Sequence, residues 1–165
     1  MKKILIGSLT AVVILGSCLK SNDYQSTCDA SYNPCALVAP AGEVAQVESY
    51  LASKGITDAT KHCSGMYYKI DSAGSGKTAT VCSNIFVKYK GQLTNDTVFD
   101  STALNPAYFN LSGVIAGFKN GVPLIKEGGG IHLYIPPSLA YGASQNGSIP
   151  SNSILVFQVS LVAVQ

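Results

Sequence analysis

Few side chains in this sequence could do chemistry by proton transfer or bond-making. There are two histidines, His62 and His132, and five cysteines. No Gly-x-Ser-x-Gly elbow is present, and His132 sits in a strand-like alternation that points it at solvent. Gly74-Ser75-Gly76-Lys77-Thr78 has the tail of a phosphate-binding loop. However, Asp71 stands where that loop needs its first glycine, and a strand rather than a helix follows. No C-x-x-C pair exists, and His62 beside Cys63 cannot build a tetrahedral metal site alone, so no metal or cofactor is expected. Two polar residues in apolar surroundings stand out. Asp100 follows Phe99 and needs a partner if buried. Tyr141, between Ala140 and Gly142, lies where a loop can aim a side chain at a ligand.

The cysteines read in two groups. The first closes the leader MKKILIGSLTAVVILGSC, in which two lysines precede an apolar run over residues 4–15. A helix of that length spans about 18 Å, too short for a bilayer core of about 30 Å. It therefore reads as a signal peptide over residues 1–17. Leu15-Gly16-Ser17-Cys18 resembles a bacterial lipobox, which makes Cys18 the lipidated first residue of a mature, membrane-anchored chain. Leu19 after it points to the outer membrane rather than to retention at the inner one. Cys28, Cys35, Cys63 and Cys82 remain, an even set that suits an exported disulfide framework with three possible pairings. Two pairings are favoured. Cys63–Cys82 would tie two strands, and Cys28–Cys35 would close a short loop around Pro34.

The elements that must position such residues follow from patterning. The chain has 165 residues, 47% hydrophobic and 12% charged, which fits one domain with a real core plus an appendage. All its basic residues are lysines, and without Lys2 and Lys3 the formal charge is zero. Such a chain is unsuited to gripping nucleic acid through phosphates. Residues 18–61 read as a tether and a helical segment. Val44, Val47, Leu51 and Tyr50 recur at helical spacing, and Gly55 is the stop. Residues 62–165 read as strands at 65–70, 85–90, 131–135 and 154–164, with one short helix near 116–122. The expected class is α+β, an antiparallel sheet with one short helix and an N-terminal helical extension.

Five segments in order carry a resemblance: VKYKG at 87–91, VFDST at 98–102, FNLSGVIAGF at 109–118, IHLYIPPSLAYG at 131–142 and IPSNSILVFQVSLV at 149–162. Over about residues 64–165 the sequence resembles the FKBP-type peptidyl-prolyl cis-trans isomerases. The resemblance implies a sheet curled around one helix with a pocket between them. It implies Tyr89, Phe99, Val114, Phe118, Ile149 and Phe157 as substrate-binding wall, with Asp100, Tyr141 and the backbone N–H of Ile115 as the groups that orient the substrate. It implies proline-containing unfolded or exported polypeptides as partners, and macrolides as pocket ligands. Two positions depart from the pattern. Phe118 stands where a large indole is usual, and Ala107 where a wall residue is often aromatic. Together with the leader, this reading expects a lipid-anchored isomerase at the cell envelope. The competing expectations are a chaperone-like binding module and a lipoprotein that docks one partner.

Overall fold

A computed structural model describes residues 31–165. The leader, Cys18 and Cys28 lie outside them. The first element is a helix, α1 (Ala41–Ser53). Seven strands follow: β1 (Thr60–Lys61), β2 (Tyr67–Ser72), β3 (Asn84–Leu93), β4 (Val98–Ser101), β5 (Ala107–Asn110), β6 (Gly130–Ile135) and β7 (Leu155–Val164). A six-residue helix, α2 (Ala116–Gly121), sits between β5 and β6. The strands form one antiparallel sheet in the order β1-β2-β6-β7-β3-β4, as the patterning requires. β5 also pairs with β3.

β7 lies in the middle of this sheet, which explains its apolar composition. Leu155, Phe157, Val159 and Leu161 join the main core with Ile131, Leu133 and Ile135 of β6. Val156 and Tyr134 point the other way and meet α1 through Val47 and Leu51. Burying two such aliphatic side chains stabilises the docked helix by about 1.5–3 kcal/mol each. α1 ends as its sequence predicts. Gly55 takes φ +67°, and Ile56 N–H and Gly55 N–H bond back to the Leu51 and Ala52 carbonyls at 2.9 and 3.1 Å. Ile56 then packs against the same small cluster. The helical extension is thus seated on the back of the sheet.

α2 crosses the opposite face. Its two inward glycines, Gly117 and Gly121, leave no room for a side chain. A Cβ on either would collide with Ile135 or Leu133. The helix therefore lies close on β6, and its one large apolar residue, Phe118, turns toward the sheet interior.

The cysteines correct the sequence reading. Cys35 is joined to Cys63, with Cα atoms 5.4 Å apart, so neither Cys28–Cys35 nor Cys63–Cys82 forms. Cys82 is disulfide-bonded too, but not to Cys63. Closeness in sequence does not make the strands after Cys63 and Cys82 neighbours. β2 and β3 are separated in the sheet by β6 and β7. The segment before α1 runs beside the β2 end instead, where Ala39 N–H bonds the Ser64 carbonyl at 2.9 Å. Among the described residues no helix is long and apolar enough to cross a membrane.

Candidate active site

β3 has two short partners laid end to end along one edge. β5 pairs with residues 84–87 and β4 with residues 90–92. Tyr89 falls in the gap between them. Thr102, at the end of the VFDST segment, closes the gap on the Tyr89 backbone. Tyr89 N–H donates to Thr102 Oγ1, and Thr102 N–H to the Tyr89 carbonyl, both at 2.9 Å. This fixes the Tyr89 side chain at the mouth of a cavity between the sheet and α2.

The cavity has a volume of about 320 Å³. Four rings form its inner wall and pack edge to face, except that Tyr89 is tilted against Phe157. Phe157 of β7 lies 5.4 Å from Phe118 and 5.5 Å from Phe99, with interplanar angles of 78° and 83°. Tyr89 stands 6.2 Å from Phe157 and 6.5 Å from Phe118. Gly91 permits this convergence, because a Cβ there would sit 2.6 Å from the Phe99 ring and 2.8 Å from the Phe157 ring. Val114 and Ile115, just ahead of α2, form the opposite lip, and Tyr141 reaches in from the loop after β6. Tyr141 is 38% exposed, which suits a hydroxyl meant to meet a ligand.

Polar groups are few and ordered. Tyr89 Oη donates to Asp100 Oδ2 at 2.5 Å. Burial raises the Tyr89 pKa well above its ordinary value, and the bond to Asp100 raises it further. The phenol therefore stays neutral and keeps its proton, directed at the exposed carboxylate beside it. The arrangement is an apolar slot with aromatic walls, a few oriented hydrogen-bonding groups at its rim and no nucleophile aimed into it. Such a slot can hold a small ring and bind a carbonyl at its edge.

The match to known proteins is specific. The family model for FKBP-type peptidyl-prolyl cis-trans isomerase matches residues 75–162, more than half of the chain. The chain belongs to this family. The chain is 43% identical, over 121 residues, to a probable FKBP-type peptidyl-prolyl cis-trans isomerase, FkpA, of Neisseria meningitidis serogroup B. That match covers 71% of this chain and 44% of the relative. The crystal structure of FkpA from Escherichia coli superposes with a TM-score of 0.69 at 36% identity, covering 76% of this chain and 60% of that one. A peptidyl-prolyl cis-trans isomerase of Pseudomonas syringae pv. tomato gives a TM-score of 0.66 at 27% identity, covering 77% of this chain and 97% of its own. The chain spans less than half the length of the curated relatives it matches.

Of the residues expected in the pocket, Tyr89, Phe99, Asp100, Val114, Ile115, Phe118, Tyr141 and Phe157 all line the cavity. Ile149 does not. It is buried in the main core, turned inward by a tight turn in which Asn146 and Ile149 exchange backbone bonds at 3.0 and 2.9 Å. Ala107 is not on the cavity wall either. Phe109, two residues along the same strand, supplies the aromatic side there, 5.8 Å from Tyr89 and 6.4 Å from Phe118. The FNLSG segment carried that signal, because Phe109 alternates with Ala107 on one face of β5. Gly113 completes the lip.

Residues outside the pocket keep structural parts. The Gly74–Thr78 loop holds no anion cradle, since Ser75 and Gly76 N–H bond the Glu127 carbonyl at 3.2 and 3.1 Å. His132 Nδ1 lies 2.9 Å from Asp71 Oδ2 on the sheet surface. Among the described residues no group of three or more His, Cys, Asp or Glu could hold a metal ion.

Proposed function

We propose that the chain is a working peptidyl-prolyl cis-trans isomerase whose clients are proline-containing polypeptides exported to the cell envelope. The observation that carries this reading is the box of four rings, Tyr89, Phe99, Phe118 and Phe157, beside one rim carboxylate, Asp100. Rotation about an X–Pro amide breaks no covalent bond. Its barrier of about 18–20 kcal/mol comes from C–N double-bond character. Twisting the amide withdraws charge from the carbonyl oxygen, so the twisted state is less polar than the planar one. A dry aromatic slot solvates the planar amide poorly and the twisted one almost as well as water does.

In this reading the four rings and Phe109 seat the proline ring. The Tyr141 hydroxyl and the Ile115 N–H orient the substrate carbonyls. The Tyr89–Asp100 pair holds one wall and presents a fixed dipole to the twisting bond. A millionfold acceleration asks for about 8 kcal/mol of differential binding between planar and twisted states. The X–Pro step is slow enough to limit folding, which gives the enzyme a task at the envelope. The deciding measurement is the proline-limited phase of a refolding protein, with catalytic amounts of this chain added. Acceleration of the slow phase is expected. Tight binding of the unfolded chain without acceleration would replace the isomerase reading with a holding one.

The leader supports a lipid anchor on Cys18 and attachment at the outer membrane. Mass spectrometry of the membrane fraction should find a lipid-bearing peptide beginning at Cys18. A soluble mature chain beginning elsewhere would overturn the anchor.

A further inference from the structure

α1 lies outside residues 75–162, the part that matches the family model. It nevertheless touches the loop that carries Tyr141. Glu43, in its first turn, accepts the backbone N–H of Ser138 at 2.8 Å through Oε2. Ser138 belongs to a single helical turn, Pro137–Leu139, that leads from β6 to Tyr141. Pro136 and Pro137 bring no N–H to this turn, and a helical first turn leaves its leading donors without internal acceptors. Leaving such a part-buried donor unpaired forfeits its hydrogen bond to water with nothing in return. Glu43 supplies the acceptor with a charge-assisted bond.

The rest of the loop hangs on that turn. Leu139 N–H bonds the Pro136 carbonyl at 3.1 Å, while Ala140 and Gly142 N–H both bond the Pro137 carbonyl at 2.9 Å. Ala140 then takes φ −124° and ψ −113°, an uncommon conformation that sets the direction of the next residue, Tyr141. The Ser138 hydroxyl is buried without a hydrogen-bond partner among the described residues, so the backbone N–H is the group that couples this turn to the helix. α1 itself is held independently, by Val44 in the main core and by Val47 and Leu51 against Tyr134 and Val156. Glu43 therefore projects from a fixed platform.

We infer that Glu43 is a positioning residue for Tyr141. Through Ser138 it sets where the Tyr141 hydroxyl stands over the cavity, which makes α1 part of the isomerase site. The inference rests on the isomerase reading for its kinetic consequence, and its structural consequence can be read without turnover.

The experiment compares Glu43→Ala, Glu43→Gln, Tyr141→Phe and the double variant Glu43→Ala/Tyr141→Phe in the full chain. Glu43→Ala should lower kcat/KM on a proline peptide by roughly 3- to 10-fold, the scale of a small misplacement of an orienting group. Glu43→Gln keeps a carbonyl acceptor and should restore most of that loss. Once Tyr141→Phe has removed the hydroxyl, Glu43→Ala should cost nothing further. In parallel, the Tyr141 ring resonance, assigned with Tyr141→Phe, should shift or broaden in Glu43→Ala and stay in place in Glu43→Gln. A loss of kcat/KM that persists undiminished in the Tyr141→Phe background overturns the inference. So does an unmoved ring, whatever happens to thermal stability. An inactive parent whose ring responds as described would reject the isomerase reading and support the positioning.

Discussion

Tyr89 and Asp100 face each other diagonally across the β3–β4 pairing, because Asp100 is paired with Gly91, two residues from Tyr89. The glycine leaves the diagonal open, and the phenol donates to the carboxylate across it. Asp100 itself is exposed, so its charge is not stranded in the core when the partner is removed. Asp100→Ala and Tyr141→Phe should therefore lower kcat/KM while shifting Tm by only about 2–4 °C, the change expected for ~1 kcal/mol in a domain of this size. Full catalysis in both variants would remove them from the site.

Alkaline pH tests the burial of the phenols. Burial raises Tyr89, with Asp100 adding to the effect, and burial likewise raises Tyr67 and Tyr134 to about 12. In the unfolded chain these groups ionise near 10. Above that pH the unfolded chain sheds protons that the folded chain keeps, so stability is complete below about pH 10 and falls as pH climbs toward the folded values. Absorbance titration of phenolate should show a late-ionising class, and Tm should decline through the same window. Asp100→Ala should bring Tyr89 only part of the way back, because burial remains. Uniform ionisation near 10 in the folded protein would contradict the packing.

Phe118 is 5% exposed and touches Tyr89, Phe109 and Phe157 edge to face. Phe118→Ala should cost about 3–5 kcal/mol through the cavity it leaves, with a Tm drop on the order of 10 °C. Phe118→Trp adds a broader floor and an N–H donor, and its extra volume has the open slot to enter. It should bind a macrolide ligand more tightly by about 1–2 kcal/mol. Calorimetric titration of the three proteins checks both effects. A tryptophan variant that binds no better would move the floor elsewhere.

The Cys35–Cys63 bridge closes a loop with a sequence separation of 28. In the chain-entropy model a loop of that length contributes about 3–4 kcal/mol. Cys35→Ser should therefore lower Tm by roughly 10 °C under oxidising conditions and change little under reducing ones. Non-reducing peptide mapping should recover residues 35 and 63 in one linked species. A Cys63–Cys82 peptide would refute the connectivity.

That bridge also marks where sequence reasoning stops. α1 and β7 were legible from local pattern: Val47 and Leu51 at helical spacing, Gly55 at the end of α1, and the almost wholly apolar, β-branched run of β7. Most of the pocket was legible through its motif order. The rest depends on which strands become neighbours. Cys63 and Cys82 precede strands that are close in sequence and separated in the sheet. Ile149 sits in a recognisable segment, yet a tight turn buries it away from the cavity. Glu43 could not be linked to Ser138 from sequence, because 95 residues separate them and only the docking of α1 brings them together.

Gly117 and Gly121 test how strictly the pocket depends on the seating of α2. Both face β6, one against Ile135 and the other against Leu133, with no space for a Cβ. Alanine at either would favour the helix intrinsically by about 0.5–1 kcal/mol and still push it off the sheet. Overpacking of this kind costs about 1–3 kcal/mol, so the net effect should be destabilising. The functional cost should be larger than the stability cost, because α2 carries Phe118 and follows directly on Ile115, two members of the cavity wall. Gly117→Ala should therefore reduce kcat/KM by more than its Tm change suggests. Adding Ile135→Val, which removes the Cδ1 methyl 2.8 Å from the new Cβ and keeps the nearer Cγ2, should recover only a small part of both. Gly42→Ala is the control. It lies exposed in α1 with nothing near its Cβ position, so the same substitution should raise Tm slightly and leave catalysis alone. If Gly117→Ala behaves like Gly42→Ala, α2 does not bear on β6 at the distance described, and Phe118 is not held by that contact.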